Sequence, residues 1–471
     1  MNPKATACLS AFAIFAIFVY GRRRIFDLTC TGVFFVSYVI FVGLGVLASP
    51  WLMEGYLQES FSYLRWSYIT PRDLNVAIAS ITVGMLAVLS GTYAADTVHT
   101  RGSARWLELL RGTRRVPLGT RANVLFIGYC GLAGTAGLML ATKLPAVISG
   151  FVNAYVHLDH EAYYRARETV QQLGLSYYLI IYNALPFCAQ ALFFAGRLRP
   201  MKSHRRAAFI WLALPVLFLV LTFEKTALVL FLLLSGVTLM LTRLHTRRGS
   251  MPVADRFSIQ QFWRTLRRTR RFLWLPLCAA ISILALFYTL TTDSITNQVS
   301  ALAVAGKALA VVADRICLRL AVMPIMYAHY FPQIEPCYGF ANVGKLAFLT
   351  GTEYFPDTQK VLYFFTGLEE GGGAIGSLTD FFSAFGWPGL LIGGFGLGTA
   401  LRMIDRWLRR LPLTVINRVL WLYLLYVSWY LSQASMFRCL SSYGAGVFVT
   451  LWFIFSVASH RSPRLPFSAS S

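Results

Sequence analysis

Residues 376–410 read GSLTDFFSAFGWPGLLIGGFGLGTALRMIDRWLRR, and the order of their chemistry decides the fold. A polar head ends at Asp380, an apolar run fills 381–401, and Arg402, Arg406, Arg409 and Arg410 close it. A helix of about 20 apolar residues crosses the hydrocarbon of a bilayer. Arginines gathered at one end of such a run mark the cytoplasmic side. The stretch is therefore expected to be a membrane span that enters from outside at Asp380 and leaves at a basic anchor. Gly393, Gly394, Gly396 and Gly398 lie within it, where they suit close helix packing better than phosphate binding.

The same pattern runs along the whole chain. Of 471 residues, 56% are hydrophobic and only 13% charged, too few charges to cover a soluble surface. Mean hydropathy is +0.58. Apolar runs fall at 4–20, 29–49, 74–95, 123–148, 174–195, 207–223, 226–242, 273–290, 381–401, 417–434 and 442–459. The fold class is thus an all-α polytopic membrane protein with about 11 transmembrane helices, forming one domain over 1–471. The 207–242 pair also fits one long helix. About 30 of the 43 Lys and Arg fall in alternate connections, and most acids fall in the others. This puts the N-terminus outside, the C-terminus inside and the 291–380 segment outside. The formal net charge of +23 is accordingly a topology signal with membrane-lipid contacts, and no nucleic-acid partner is expected.

Several segments carry a second reading. The first run resembles a signal peptide, but Arg22, Arg23 and Arg24 follow where a small-residue cleavage site would stand, so it is expected to be retained. Asp255–Arg271 has the spacing of an amphipathic helix on anionic lipid, or of a topology anchor alone. The Ser/Pro-rich tail over 460–471 is expected to be disordered. No Cys/His grouping has metal-ligand spacing, and no Walker loop, GxSxG elbow or HExxH motif is present.

The long 291–380 connection concentrates the chemistry. Arg315 and Arg319 stand four apart, on one face of a predicted helix. Their planar forks match phosphate oxygens; anchoring at the membrane surface, or pairing with Asp314 and Glu353, is the alternative. Lys225 follows Glu224 in a tight turn at a helix start, where an anion or a local ion pair fits equally. Arg438 stands alone on the outer side among hydroxyls, against the charge rule, which makes it a candidate functional cation. For a general base, Asp380 lies at the water–membrane boundary, with helix capping as its plainer role. Glu369 and Glu370 precede three glycines, and His329 is a further base candidate, though it sits among aromatics.

These features together resemble a family. A charged turn (TFEKTALV), a long external loop with an Arg-bearing helix (ADRICLRL), a glycine-rich linker and GSLTDFFSAFGWPGLLIGG entering a span are similar to the Wzy-type oligosaccharide repeat-unit polymerases. The resemblance covers about 207–459, and many such polymerases carry Glu where this chain has Asp380. It implies a metal-independent, cofactor-free membrane glycosyltransferase of the bacterial inner membrane, with its site facing the periplasm. The growing glycan on polyprenyl diphosphate would move onto a sugar hydroxyl of the next lipid-linked repeat, with a chain-length regulator protein as partner. Arg315, Arg319, Lys225 and Arg438 would bind the diphosphate; Asp380, Glu369, Glu370 or His329 would serve the hydroxyl. Two other readings stand beside it. An O-antigen ligase would carry an external His followed by a small polar residue, whereas His329 is followed by Tyr330. A transporter of lipid-linked sugar would show two-fold internal similarity, which the sequence lacks.

Overall fold

The computed structural model describes residues 2–25, 29–58, 64–97, 118–155, 165–198 (without 167, 171, 175 and 176), 201–248 (without 223 and 224), 318–342, 351, 355–367, 375–411, 415–440 and 445–458. Among the described residues there is no strand. α1 is Pro3–Ile25; α2 (Cys30–Tyr38) continues through a π turn into α3 (Leu44–Leu52); α4 is Pro71–Thr97. α5 (Leu118–Ala141) and α6 (Leu144–Tyr155) follow. A π-helical stretch, Tyr177–Ala184, leads into α7 (Leu185–Arg197). Then come α8 (Lys202–Ala207), α9 (Ile210–Leu221), α10 (Lys225–Arg248), α11 (Arg319–Tyr330) and α12 (Asp357–Thr366). The chain closes with α13 (Ser377–Arg410), α14 (Val415–Tyr430), α15 (Met436–Leu440) and α16 (Ala445–Ala458).

Six of these helical stretches are long and apolar enough to cross a membrane: Pro3–Arg22, Cys30–Leu52, Pro71–Thr97, Leu179–Arg197, Lys202–Leu221 and Ser377–Arg409. The pair Leu125–Ala141 and Leu144–Asn153, bent by 76°, makes a seventh if it is one span. The chain is a helical membrane protein. Three further expected spans, 226–242, 417–434 and 442–459, are helical in α10, α14 and α16. The expected 273–290 span, the 255–271 segment and the 460–471 tail lie outside the described residues. The 207–242 stretch is two helices, α9 and α10, packed against each other.

α4 and α13 form the central pair. A Cβ on Gly91 would collide with the Phe395 carbonyl, and one on Gly398 with the Val88 carbonyl. A Cβ on Gly394 would stand 3.0 Å from Ala87 and 3.2 Å from the Gly84 carbonyl. Small residues therefore bring the two backbones together, the expected role for Gly394 and Gly398. A Cβ on Gly393 would instead meet Phe381, which precedes the break at Gly386, and one on Gly396 would meet nothing within 4 Å.

α13 begins earlier than the apolar run. It starts at Ser377 and breaks at Gly386, whose φ of 67° and ψ of −152° only glycine adopts readily. Pro388 sits two residues on, where its fixed φ suits a helix start. The motif FGWPG thus divides a short entry helix from the long span.

The helix ends sort into two groups. At one end Arg402 pairs with Asp96 at 2.7 Å, and Arg406 donates to the Ala95 carbonyl at the close of α4, where helix ends favour cations. There Asp405 also accepts from the N–H groups of Cys30 (2.6 Å) and Thr31 (3.1 Å), fastening the start of α2. At the other end lie the starts of α4 and α13, the end of α14, and α11, α12 and α15. Ser377 N–H donates to the Leu431 carbonyl at 3.0 Å, and a Cβ on Gly376 would stand 2.5 Å from the Ser432 carbonyl. A separate apolar cluster covers this end, with Trp66, Met326, Tyr327, Phe331, Val361 and Phe365 buried together.

Candidate functional site

α11 is the hub of the end opposite Arg402. It is a 12-residue helix, RLAVMPIMYAHY, and its last turn sends polar groups in three directions. Tyr327 donates its hydroxyl to Asp357 Oδ2 at 2.6 Å, His329 meets Asp73, and Tyr330 donates to Glu335 at 3.1 Å. Burial, then the charge of Asp357, raises the Tyr327 hydroxyl well above its ordinary range, so it stays a donor. Tyr330 is pushed up to about 12 by burial and then by Glu335.

The first cluster is a buried ion pair. Asp357 opens α12, is fully buried, and takes an amino group of Arg438 at 3.2 Å on Oδ1. A carboxylate in a first helical turn meets the positive end of the helix dipole. Arg438 lies on α15 with its side chain one quarter exposed. The arginine that opposed the charge rule thus answers a buried carboxylate 81 positions away.

The second cluster surrounds Asp380. This residue lies in the first turn of α13, only 4% exposed, and its Oδ1 accepts from the Tyr338 hydroxyl at 3.0 Å. Tyr338 also contacts Ser383 Oγ at 2.7 Å and stacks on Phe355. Gly376, not Asp380, occupies the N-cap position. Burial, and then the charge of Asp380, raises the Cys439 thiol, so Asp380 and α15 are electrostatic neighbours. The ring of Phe331 packs against both Tyr327 and Tyr338 and so joins the two clusters.

The third cluster holds His329. Its Nδ1 lies 2.9 Å from Oδ2 of Asp73, whose side chain is fully buried. Asp73 also accepts from the Thr70 N–H (2.8 Å), the Thr70 hydroxyl (2.7 Å) and the Gln333 amide (2.9 Å). Thr70-Pro71-Arg72-Asp73 is a capping box, with proline at the first helical position of α4. Tyr68 stacks on the imidazole, with Phe364 and Phe365 on its flanks.

The structure therefore brings Asp380, His329 and Arg438 to one end of the bundle. Arg319 opens α11 and Lys225 opens α10, but their side chains lie outside the described residues, as do Arg315, Glu369 and Glu370 entirely. Among the described residues no group of His, Cys, Asp and Glu could hold a metal ion. Sequence reasoning missed Asp73, Asp357, Tyr327 and Tyr338. The TPRD box was a usable signal for Asp73; the tyrosines look like any aromatic core position. Comparisons of the chain with family models, with curated proteins and with solved structures each found no match.

Proposed function

We propose that the chain polymerises polyprenyl-diphosphate-linked oligosaccharide repeat units into O-antigen or a related surface polysaccharide. In this reading it crosses the bacterial inner membrane eleven times, with the α11–α12–α15 end in the periplasm and the Arg402–Arg410 end in the cytoplasm. The resemblance of 376–389 and its setting to Wzy-type polymerases is one support. The observation that carries the reading is the one-ended gathering of unlike groups. A cation (Arg438), two carboxylates (Asp357 and Asp380) and an imidazole (His329) all lie at the end away from the basic anchors.

Glycosyl transfer from a diphosphate needs that mixture. Negative charge grows on the departing diphosphate oxygen, and a fixed guanidinium there lowers the barrier. Arg438 takes this role, with Arg315, Arg319 and Lys225 as further diphosphate contacts. The attacking hydroxyl loses a proton, so a base must stand within hydrogen-bond reach. No cofactor or metal enters the scheme. A chain-length regulator protein is the expected partner in the membrane.

Deleting the gene in the source organism tests the reading. The expected surface glycan then carries a single repeat unit where the parent shows a ladder. A ligase would instead leave polymer stranded on its lipid carrier, and a transporter would leave neither product outside. An unchanged ladder would contradict all three.

A further inference from the structure

The imidazole of His329 is placed in a way that the glycosyl-transfer reading does not by itself require. Oδ2 of Asp73 already accepts two hydrogen bonds from Thr70, and it meets His329 Nδ1 at 2.9 Å. An acceptor-only carboxylate demands the proton on Nδ1, so the neutral ring keeps its lone pair on Nε2. Gln333 holds the other oxygen of Asp73, and Asp73 itself is fully buried, so the partner of the ring is fixed in place. Among the described residues Nε2 makes no hydrogen bond, and the His329 side chain is 12% exposed. Beside it the ring of Tyr68, 39% exposed, lies 11° from parallel to the imidazole. A flat aromatic face of this kind buries the C–H face of a pyranose while leaving its hydroxyls free. Asp380 offers less, being 4% exposed with Oδ1 engaged by Tyr338.

We infer that His329 accepts the proton of the attacking sugar hydroxyl, that Asp73 is its positioning residue, and that Tyr68 seats the acceptor sugar. The assignment rests on the glycosyl-transfer reading. The hydroxyl oxygen bonds the anomeric carbon of the donor sugar while that carbon's bond to the diphosphate oxygen breaks. The electron pair of the broken bond leaves with the diphosphate, and the hydroxyl proton passes to Nε2. Asp73 keeps the ring in the tautomer that can receive it and faces the imidazolium that results.

Purified full-length protein in detergent is given polyprenyl-diphosphate-linked repeat units extracted from the source cells. His329→Ala should slow turnover by about 10²–10⁴-fold, the usual weight of general-base catalysis, with donor binding unchanged. Added imidazole should restore part of that loss, and should fail to do so in His329→Ala/Asp73→Asn. Because Asp73 also closes the capping box of α4, melting temperature is followed alongside. Asp73→Asn should lower kcat far more than it changes KM. Full turnover by His329→Ala, or a loss that imidazole does not relieve, overturns the assignment while wild-type extension leaves the polymerase reading intact. Failure of the wild type to extend any glycan removes that reading and this assignment with it.

Discussion

Arg438 and Asp357 show how much of a site a single residue can reveal in sequence. Arg438 stood out because it broke the charge rule, yet its partner lies on another helix and nothing local announced it. With Asp357 fully buried, removing the guanidinium takes the cation of this pair from a buried carboxylate and leaves the neutral Tyr327 hydroxyl. Arg438→Ala should therefore cost about 3 kcal/mol of stability in denaturation in detergent, and Arg438→Ala/Asp357→Asn should recover part of it. An additive or larger loss in the double variant would mean the pair is not coupled. Asp380 was legible from its place before FFSAFG, but its closure under Tyr338 was not, since a tyrosine in a loop punctuated by proline and glycine carries no mark of its partner. Asp380→Asn keeps an acceptor for Tyr338, so it should raise the activation barrier by no more than about 1 kcal/mol, an upper bound set by the net worth of one hydrogen bond. Polymer length in an extension assay ranks the two residues. Greater loss in Asp380→Asn than in His329→Ala would move the base to Asp380.

At the scale of elements, the expected apolar runs other than 273–290 fall on described helices, while helix ends and breaks depended on contacts that the pattern does not carry. α13 is the clearest case, because the apolar run suggested 381–401 and the helix spans Ser377–Arg410 with a break at Gly386. The entry turn is held by Leu431 and Ala434, residues of a distant stretch. Gly386→Ala should cost about 1–3 kcal/mol from backbone strain alone, since a Cβ there would meet nothing closer than 3.9 Å. Gly398→Ala should cost about as much for the opposite reason, overpacking against Val88. Gly396→Ala faces open space and should be neutral or stabilising by up to about 1 kcal/mol. Thermal unfolding in one detergent compares all three, and equal losses at 396 and 398 would refute the packing account of α4 and α13.

For the whole molecule, charge read along the sequence anticipated a two-ended bundle. Thr6 bonds Asn75 and Tyr93 bonds the Tyr20 carbonyl, so α1 and α4 run in the same direction, as first and third spans must. α2 meets the far end of α13 through Asp405, so those two run oppositely. The chemistry gathered at one end was less legible, because its partners come from different helices and loops and stand 30 to 260 positions apart. In the proposed orientation a cysteine at Thr350, in a cysteine-free background, should react with a membrane-impermeant reagent added from the periplasmic side, and one at Ser250 should not. Labelling at 250 alone would invert the topology and move the site to the wrong compartment. The most direct measurement is the product size from purified wild-type protein in detergent, with polyprenyl-diphosphate-linked repeat units and no vesicle present. The account predicts a ladder of successively longer glycans still attached to the carrier lipid. Repeat units that stay single in detergent, yet cross the bilayer when the same protein is sealed into vesicles, would contradict it.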